Sequence, residues 1–192
     1  MRKKILLAIA FSLGIWSYLL LLAATPKPGA TPPQNLVGPE DGITHFFSPG
    51  GGCTEAIVAE IAKAAKTIDI QAYSFTSPPI AQALIDACDR GVHVRIILDK
   101  AERTDHYSSA PVFLSHHIQV YIDDQHAMAH NNVVMIDGKL LMTGSFNFTK
   151  SSEDKNAENF LILHDRPKAT GAYHANFEHH LSHSIPMAVE TK

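Results

Sequence analysis

From Ile43 onward, short apolar runs with strand character take turns with amphipathic helical stripes, and few packings suit such an alternation. Ile43–Phe47 reads as a strand. Ser48-Pro-Gly-Gly-Gly is a turn, after which Thr54 can cap a helix over Glu55–Lys66. Thr67–Ser74 has strand character. Ser77 then caps a second helix with Pro78 and Pro79 in its first turn. Its apolar residues Ile80, Ala83, Leu84, Ala87 and Cys88 form one stripe, and Gly91 ends it. Val92–Leu98 alternates as a strand should. Ser108–His117 reads as helix, Gln119–Ile122 as strand, and Val133–Ile136 as a buried strand that Asp137-Gly138 turns into Leu140–Thr143. Phe160–Leu163 is a further strand and Lys168–Ser184 a terminal helix. The expectation is one α/β domain over residues 43–186, a mixed β-sheet flanked by helices, followed by a tail at 187–192. No internal repeat is visible.

What precedes Ile43 is different in kind. Met1–Lys4 is cationic, and residues 5–24 are almost wholly apolar. That pattern is a secretory signal or an N-terminal membrane anchor. The run is long for a signal core and just long enough to span a bilayer, and Leu22 and Ala24 make a poor cleavage site. Both readings export the rest of the chain: periplasmic, tethered to the inner membrane facing the periplasm, or secreted. Thr25–Gly42, rich in Pro and Gly, reads as a linker. Removing the leader takes away Arg2, Lys3 and Lys4 and no acid, so the net charge moves from −3 to −6. An acidic balance does not advertise a nucleic-acid binder, although a local basic patch can serve one. Cys53 and Cys88 are the two cysteines. Export permits a disulfide, but Cys88 lies on the apolar helix stripe, where a buried free thiol is the plainer reading.

The chemistry concentrates in residues 126–149, HAMAHNNVVMIDGKLLMTGSFNFT. His126 and His130 have the i, i+4 spacing of helical zinc pairs, but no glutamate lies between them and the stretch runs into a strand. No metal site is expected there. In the terminal helix, His179 and His183 share a face, and His174 and His180 lie nearby. A solvated polar face explains these. A phosphodiester site fits residues 130–158 better. It needs a nucleophile, an acid for the leaving oxygen and donors for the phosphate oxygens. His130 can be the nucleophile. Ser145 and Asn147 in the Gly144-Ser-Phe-Asn turn can donate to phosphate, and the hairpin from His130 through Asp137 can bring them together. Glu158 can hold an imidazole N–H.

His130-Asn-Asn132-Val-Val-Met-Ile-Asp137 followed by Gly144-Ser145-x-Asn147 resembles the HxKxxxxD…GSxN signature of the phospholipase D superfamily. FSPGGGCTEAIVAEIAKA, IQAYSFTS, GVHVRIILDK and GSFNFTKSSEDKNAENFLIL are similar to the small bacterial single-motif nuclease branch, so the resemblance runs from about residue 43 to 184. It implies the phospholipase D/nuclease-like sandwich fold and metal-independent hydrolysis without a cofactor. His130 would attack phosphorus to form a phosphohistidine. A second such histidine would protonate the leaving oxygen, and water would release the product. With a single motif copy, that second histidine implies a homodimer with the site on its two-fold axis. Ser145 and Asn147 would bind phosphate oxygens, and Glu158 would orient the imidazole. The substrate implied is DNA or RNA, with phospholipid (phosphatidylcholine or cardiolipin) as the alternative and a catalytically dead phosphodiester-binding module as a third reading.

The sequence departs from the signature at Asn132, where the family has lysine. Asparagine offers a neutral phosphate donor on a shorter stem, and charge-assisted bonds are roughly twice as strong as neutral ones. Asp137 sits in an ordinary Asp-Gly hairpin turn, which suggests a structural role. Asn147-Phe-Thr149 also matches a glycosylation sequon, a pattern common by chance. Lys63, Lys66, Lys100, Arg103, Lys150 and Lys155 are either solvated surface or a basic rim for a polyanion.

Overall fold

The computed structural model describes residues 42–188. The expected leader, almost all of the linker and the end of the tail lie outside them. Among the described residues no helix is long and apolar enough to cross a membrane.

Eight strands form one mixed sheet: β1 (Ile43–Ser48), β2 (Thr67–Ala72), β3 (His93–Asp99), β4 (Gln119–Asp123), β5 (Val133–Ile136), β6 (Leu140–Gly144), β7 (Glu158–Leu163) and β8 (Ile185–Pro186). Their spatial order is β1-β7-β6-β5-β2-β3-β4-β8. The β2–β3 and β3–β4 pairs are parallel, as crossovers through helices require. All other neighbours are antiparallel, including the central β2–β5 pair. The helices are α1 (Cys53–Ile61), α2 (Pro78–Asp89), α3 (Ala110–Ser115), α4 (Lys150–Asp154) and α5 (Pro167–Leu181).

Both faces of the sheet are covered, and strand alternation decides which side chain goes where. Ile68, Ile70, Val94, Ile96, Leu98, Val134, Ile136 and Met142 join Ile57, Ile61, Leu84 and Phe113 from the helices in the main core. The intervening Ile97, Val133, Met135 and Leu141 pack against Phe177 of α5 on the other face. Arg95, on that same face, binds Asp69 with Nε and Nη2 at 2.7 and 2.9 Å and Glu178 of α5 at 2.8 Å. Its guanidinium lies 4.8 Å from the centre of the Phe177 ring. One half-buried cation thus ties α5 to β2 and β3.

The expected strands and longer helices are present with shifted ends. The Ser48-Pro-Gly-Gly-Gly turn leads into α1 as anticipated, but Thr54 does not cap it. The carboxylate of Glu153, in α4, accepts from Gly52 N and Thr54 N at 3.0 and 2.8 Å instead. Proline does occupy the first turn of α2. Three short elements were not anticipated: a 3-10 turn at Lys100–Arg103, helix α4, and the edge strand β8. Cys53 and Cys88 are both free thiols. Burial pushes the Cys53 thiol up to about 12, so it is an inert part of the core.

Asp137 has a positive φ of 53° in the β5–β6 turn. Its carboxylate accepts from the backbone N–H groups of Ala65, Lys66 and Thr67 at 2.9, 2.7 and 2.9 Å. It thereby closes the connection between α1 and β2 from across the sheet. Burial raises the carboxyl, but the three backbone donors outweigh it and hold it below its ordinary value. Asp137→Asn keeps the turn chemistry and removes the charge. We expect it to lower stability by about 1–2 kcal/mol near neutral pH in urea titrations. A depressed carboxyl stabilises the fold above the unfolded-state value, near 4, and loses that contribution as pH falls through the folded value. The difference between wild type and variant should therefore shrink in acid; a difference that persists there would overturn the assignment.

Candidate active site

The antiparallel run from β2 to β7 decides what meets what. Residue Val133 at the start of β5 pairs with Gln71 near the end of β2 and with Thr143 near the end of β6. Gly144 at the end of β6 pairs with Phe160 near the start of β7. The start of β5, the end of β6 and the start of β7 therefore share one edge of the sheet with the ends of β2, β3 and β4. His130, Asn132, Ser145, Asn147 and Glu158 all fall at that edge. Asp137 falls at the other end of β5, seven residues or roughly 20 Å of extended chain from His130, and does not reach them.

His130 is exposed, and its ring packs against Tyr73 with centroids 4.5 Å apart. Among the described residues it makes no hydrogen bond. The segment before it is pinned twice. Asp99 Oδ2 accepts from Ala129 N at 2.7 Å, and Lys100 Nζ donates to the His126 carbonyl at 2.7 Å. Ser145 lies where the backbones of β6 and β7 approach most closely. A Cβ on Gly144 would stand 2.2 Å from the Asn159 carbonyl oxygen, so only glycine allows Ser145 N to donate to that oxygen at 3.0 Å. The Ser145 hydroxyl donates to Glu158 Oε2 at 2.5 Å and accepts from Asn159 N at 3.1 Å. Glu158 also accepts from Asn156 Nδ2 at 3.0 Å. Within one chain, then, Glu158 holds the serine and not the imidazole it was expected to orient. The Asn147 carboxamide oxygen is buried without a partner among the described residues, and its NH2 end makes no protein hydrogen bond among them either.

Asn132 differs most from expectation. It is 4% exposed, and its carboxamide bridges two backbones. Oδ1 accepts from Tyr73 N at 3.4 Å, and Nδ2 donates to the Ser145 carbonyl at 3.2 Å. The side chain anticipated as a phosphate donor joins the loop behind His130 to the loop carrying Ser145. No lysine or arginine among the described residues bonds to Ser145, Asn147 or Glu158. The candidate rim also separates. Lys63, Arg103 and Lys150 are paired with Glu60, Asp124 and Asp154. Lys66 precedes β2 at the far edge, next to the Asp137 carboxylate. Lys100, at the end of β3, and Lys155, on the loop leading to Glu158, remain at the site edge without a carboxylate partner among the described residues.

Comparison with known proteins agrees with this architecture. Residues 57–181 match the family model described as cardiolipin synthase, PLD-like domain. The chain belongs to the phospholipase D superfamily. "Phospholipase D" of Rickettsia prowazekii is 44% identical over 127 residues, which are 66% of this chain and 62% of that protein. "Mitochondrial cardiolipin hydrolase" of Chlamydomonas reinhardtii is 32% identical over 118 residues, 62% of this chain and 52% of that one. The chain thus spans under two thirds of these relatives. Among solved structures, Nuc of Salmonella typhimurium, a phospholipase D family member, has a TM-score of 0.73 at 30% identity, covering 76% of this chain and 97% of that one. NucT of Helicobacter pylori, at 21% identity and a TM-score of 0.69, shares the fold.

Gly144 gives a direct test of this close approach. Gly144→Ala should destabilise the domain by about 1–3 kcal/mol, because two backbones must part to admit the methyl group. Gly171, where a Cβ meets nothing within 4 Å in α5, is the control. Gly171→Ala should stabilise by up to about 1 kcal/mol. Thermal melts of the pair check both signs, and equal effects would refute the packing argument.

Proposed function

We propose that the protein is an exported phosphodiesterase that cleaves DNA or RNA through His130, with neither metal nor cofactor in the chemical step. The observation that carries this reading is the exposed, unpartnered His130 imidazole at the sheet edge where Ser145, Asn147 and Glu158 converge. An imidazole nitrogen attacks phosphorus, forming an N–P bond as the bond to the leaving oxygen breaks. That oxygen takes a proton from an acid on its far side. The nearest histidine in sequence, His126, is turned to Asp123 and is not that acid. The acid is His130 of a second copy, in a homodimer with its two-fold axis through the site. Deprotonated by the first step, it then accepts a proton from water as water attacks phosphorus and breaks the N–P bond. Asn147 and the Ser145 hydroxyl hold the phosphate oxygens, with the serine turning from Glu158 to do so. Asn132 is a positioning residue. The overall likeness to Nuc, which covers nearly all of that chain, supports the nucleic-acid substrate, and Lys100 and Lys155 give its backbone cations to follow.

A second reading, hydrolysis of a phospholipid headgroup, is favoured by the names of the curated relatives and by Met128, 53% exposed two residues before His130. Plasmid DNA, RNA, and phosphatidylcholine or cardiolipin vesicles, each incubated in EDTA with the full chain, separate the readings by product. His130→Ala should abolish turnover on whichever substrate is cleaved; activity that survives it sinks the mechanism. Asn132→Lys should raise turnover by about 10² to 10³ while lowering stability by about 1–2 kcal/mol, since a cation reaches the phosphate and the backbone bridge is lost. No gain on a labelled oligonucleotide would instead support a binding module whose chemistry has decayed beyond position 132.

A further inference from the structure

A second side-chain cluster lies on the same sheet edge, beyond β2 and β3 from His130. Asp123 ends β4 and is fully buried. His126 follows in the next loop, His180 lies in the last turn of α5, and His183 in the turn beyond it. All three imidazoles aim at this one carboxylate. His180 Nδ1 is 2.7 Å from Oδ2, His126 Nδ1 is 3.0 and 3.1 Å from Oδ1 and Oδ2, and His183 Nε2 is 3.5 Å from Oδ2. One ligand atom from each of the four residues lies within 4.8 Å of all the others. The rings stand 5.0 to 5.4 Å apart, and no lysine or arginine among the described residues pairs with Asp123.

His180, His126 and the Gln125 N–H already supply three hydrogen bonds to Asp123, and a third imidazole, that of His183 from beyond the helix end, approaches the same Oδ2 at 3.5 Å. Three neutral imidazoles and one carboxylate are a donor set that a borderline divalent cation takes. In a tetrahedral zinc site with bonds of about 2.0–2.1 Å, ligand atoms stand about 3.3 Å apart, so the cluster has to contract by about 1.5 Å at most. The side chains at 180 and 183 are 12% and 23% exposed, shielded yet reachable. Their scaffold is also fixed, since Lys100 holds the His126 carbonyl and Ser184 Oγ donates to the His180 carbonyl at 2.8 Å.

We propose that Asp123, His126, His180 and His183 bind one divalent transition-metal ion of the zinc class. The ion clamps α5 to the end of β4 and fixes the loop that leads, four residues later, to His130. It is structural and takes no part in the phosphate chemistry, roughly three strand spacings or about 14 Å away. The site is independent of which phosphodiester is cleaved.

The test uses the tag-free full chain in detergent, stripped with chelator and titrated with ZnCl2. Calorimetry should give one saturable site per chain, and the melting temperature should rise by about 5–11 °C at 100-fold excess over Kd, with MgCl2 giving no rise. CoCl2 should produce the intense visible bands of a tetrahedral ion. In wild-type NMR spectra Zn should shift the ring C–H signals of His126, His180 and His183, a readout that needs no variant to fold. The double variant His180→Ala, His183→Ala should lose at least about 10²-fold in affinity, while His179→Ala retains it. The proposal is overturned by absence of saturable uptake in wild type, by NMR shifts centred on other histidines, or by uptake unchanged in the double variant.

Discussion

The antiparallel pairing of β5 with β2, Val133 against Gln71 through Ile136 against Ile68, is the constraint on which the site depends. β2, β3 and β4 run parallel and finish together at one edge. Were β5 to continue that direction, His130 would begin at the opposite edge from the ends of those strands. Reversal brings it back, and two further reversals bring the end of β6 and the start of β7 beside it. An imidazole, a hydroxyl, an amide and a carboxylate from residues 130 to 158 are thereby gathered at one edge of the sheet. The site needs rigid neighbours, and burial on both sheet faces provides them.

Every strand buried on both sides needs apolar residues at successive positions, and the exceptions do specific work. Asp69 and Arg95 face the α5 side and neutralise each other there, with Glu178 completing the pair from the helix. Asp99, also buried, accepts from Ala101 N and Ala129 N and so fixes the turn after β3 and the approach to His130. Glu102 is buried beneath Phe75 N and Ser108 Oγ, and burial raises its carboxyl despite those bonds. Asp99 and Glu102 lie at the sheet edge that carries the candidate site, where loops must be held without a ladder to hold them.

Much of this was legible because it is local. Helical and strand periodicities located the elements, and the hairpin between His130 and Asn147 brings the candidate site residues to one edge, because it converts sequence separation into proximity. What was not legible depends on distance along the chain. The cap on α1 comes from Glu153, about a hundred residues on, and no local rule points to it. Sequence paired His126 with His130 and His179 with His183, following helical spacing. The fold pairs His126, His180 and His183 through Asp123, since β4 and α5 meet only after the sheet has formed. The role of Asn132 was hidden for another reason: the motif says what stands there in relatives, and only burial shows that this carboxamide is already bonded to two backbones.

That last point changes the electrostatics of the site. Asn132 ties the two loops together through its carboxamide but brings no charge to the site. The remaining groups around Ser145 are neutral donors and the Glu158 carboxylate, whose field opposes an incoming phosphate. A phosphoryl transition state gathers negative charge that neutral donors meet only weakly. In the proposed two-fold site the His130 ring that acts as the acid brings a positive charge to the phosphate, beside Lys100 and Lys155 at the same edge. One proton thus serves both tasks, protonating the leaving oxygen and offsetting the phosphate charge. In the proposed dimer, asparagine at 132 makes the second subunit a source of cationic stabilisation as well as the source of the acid.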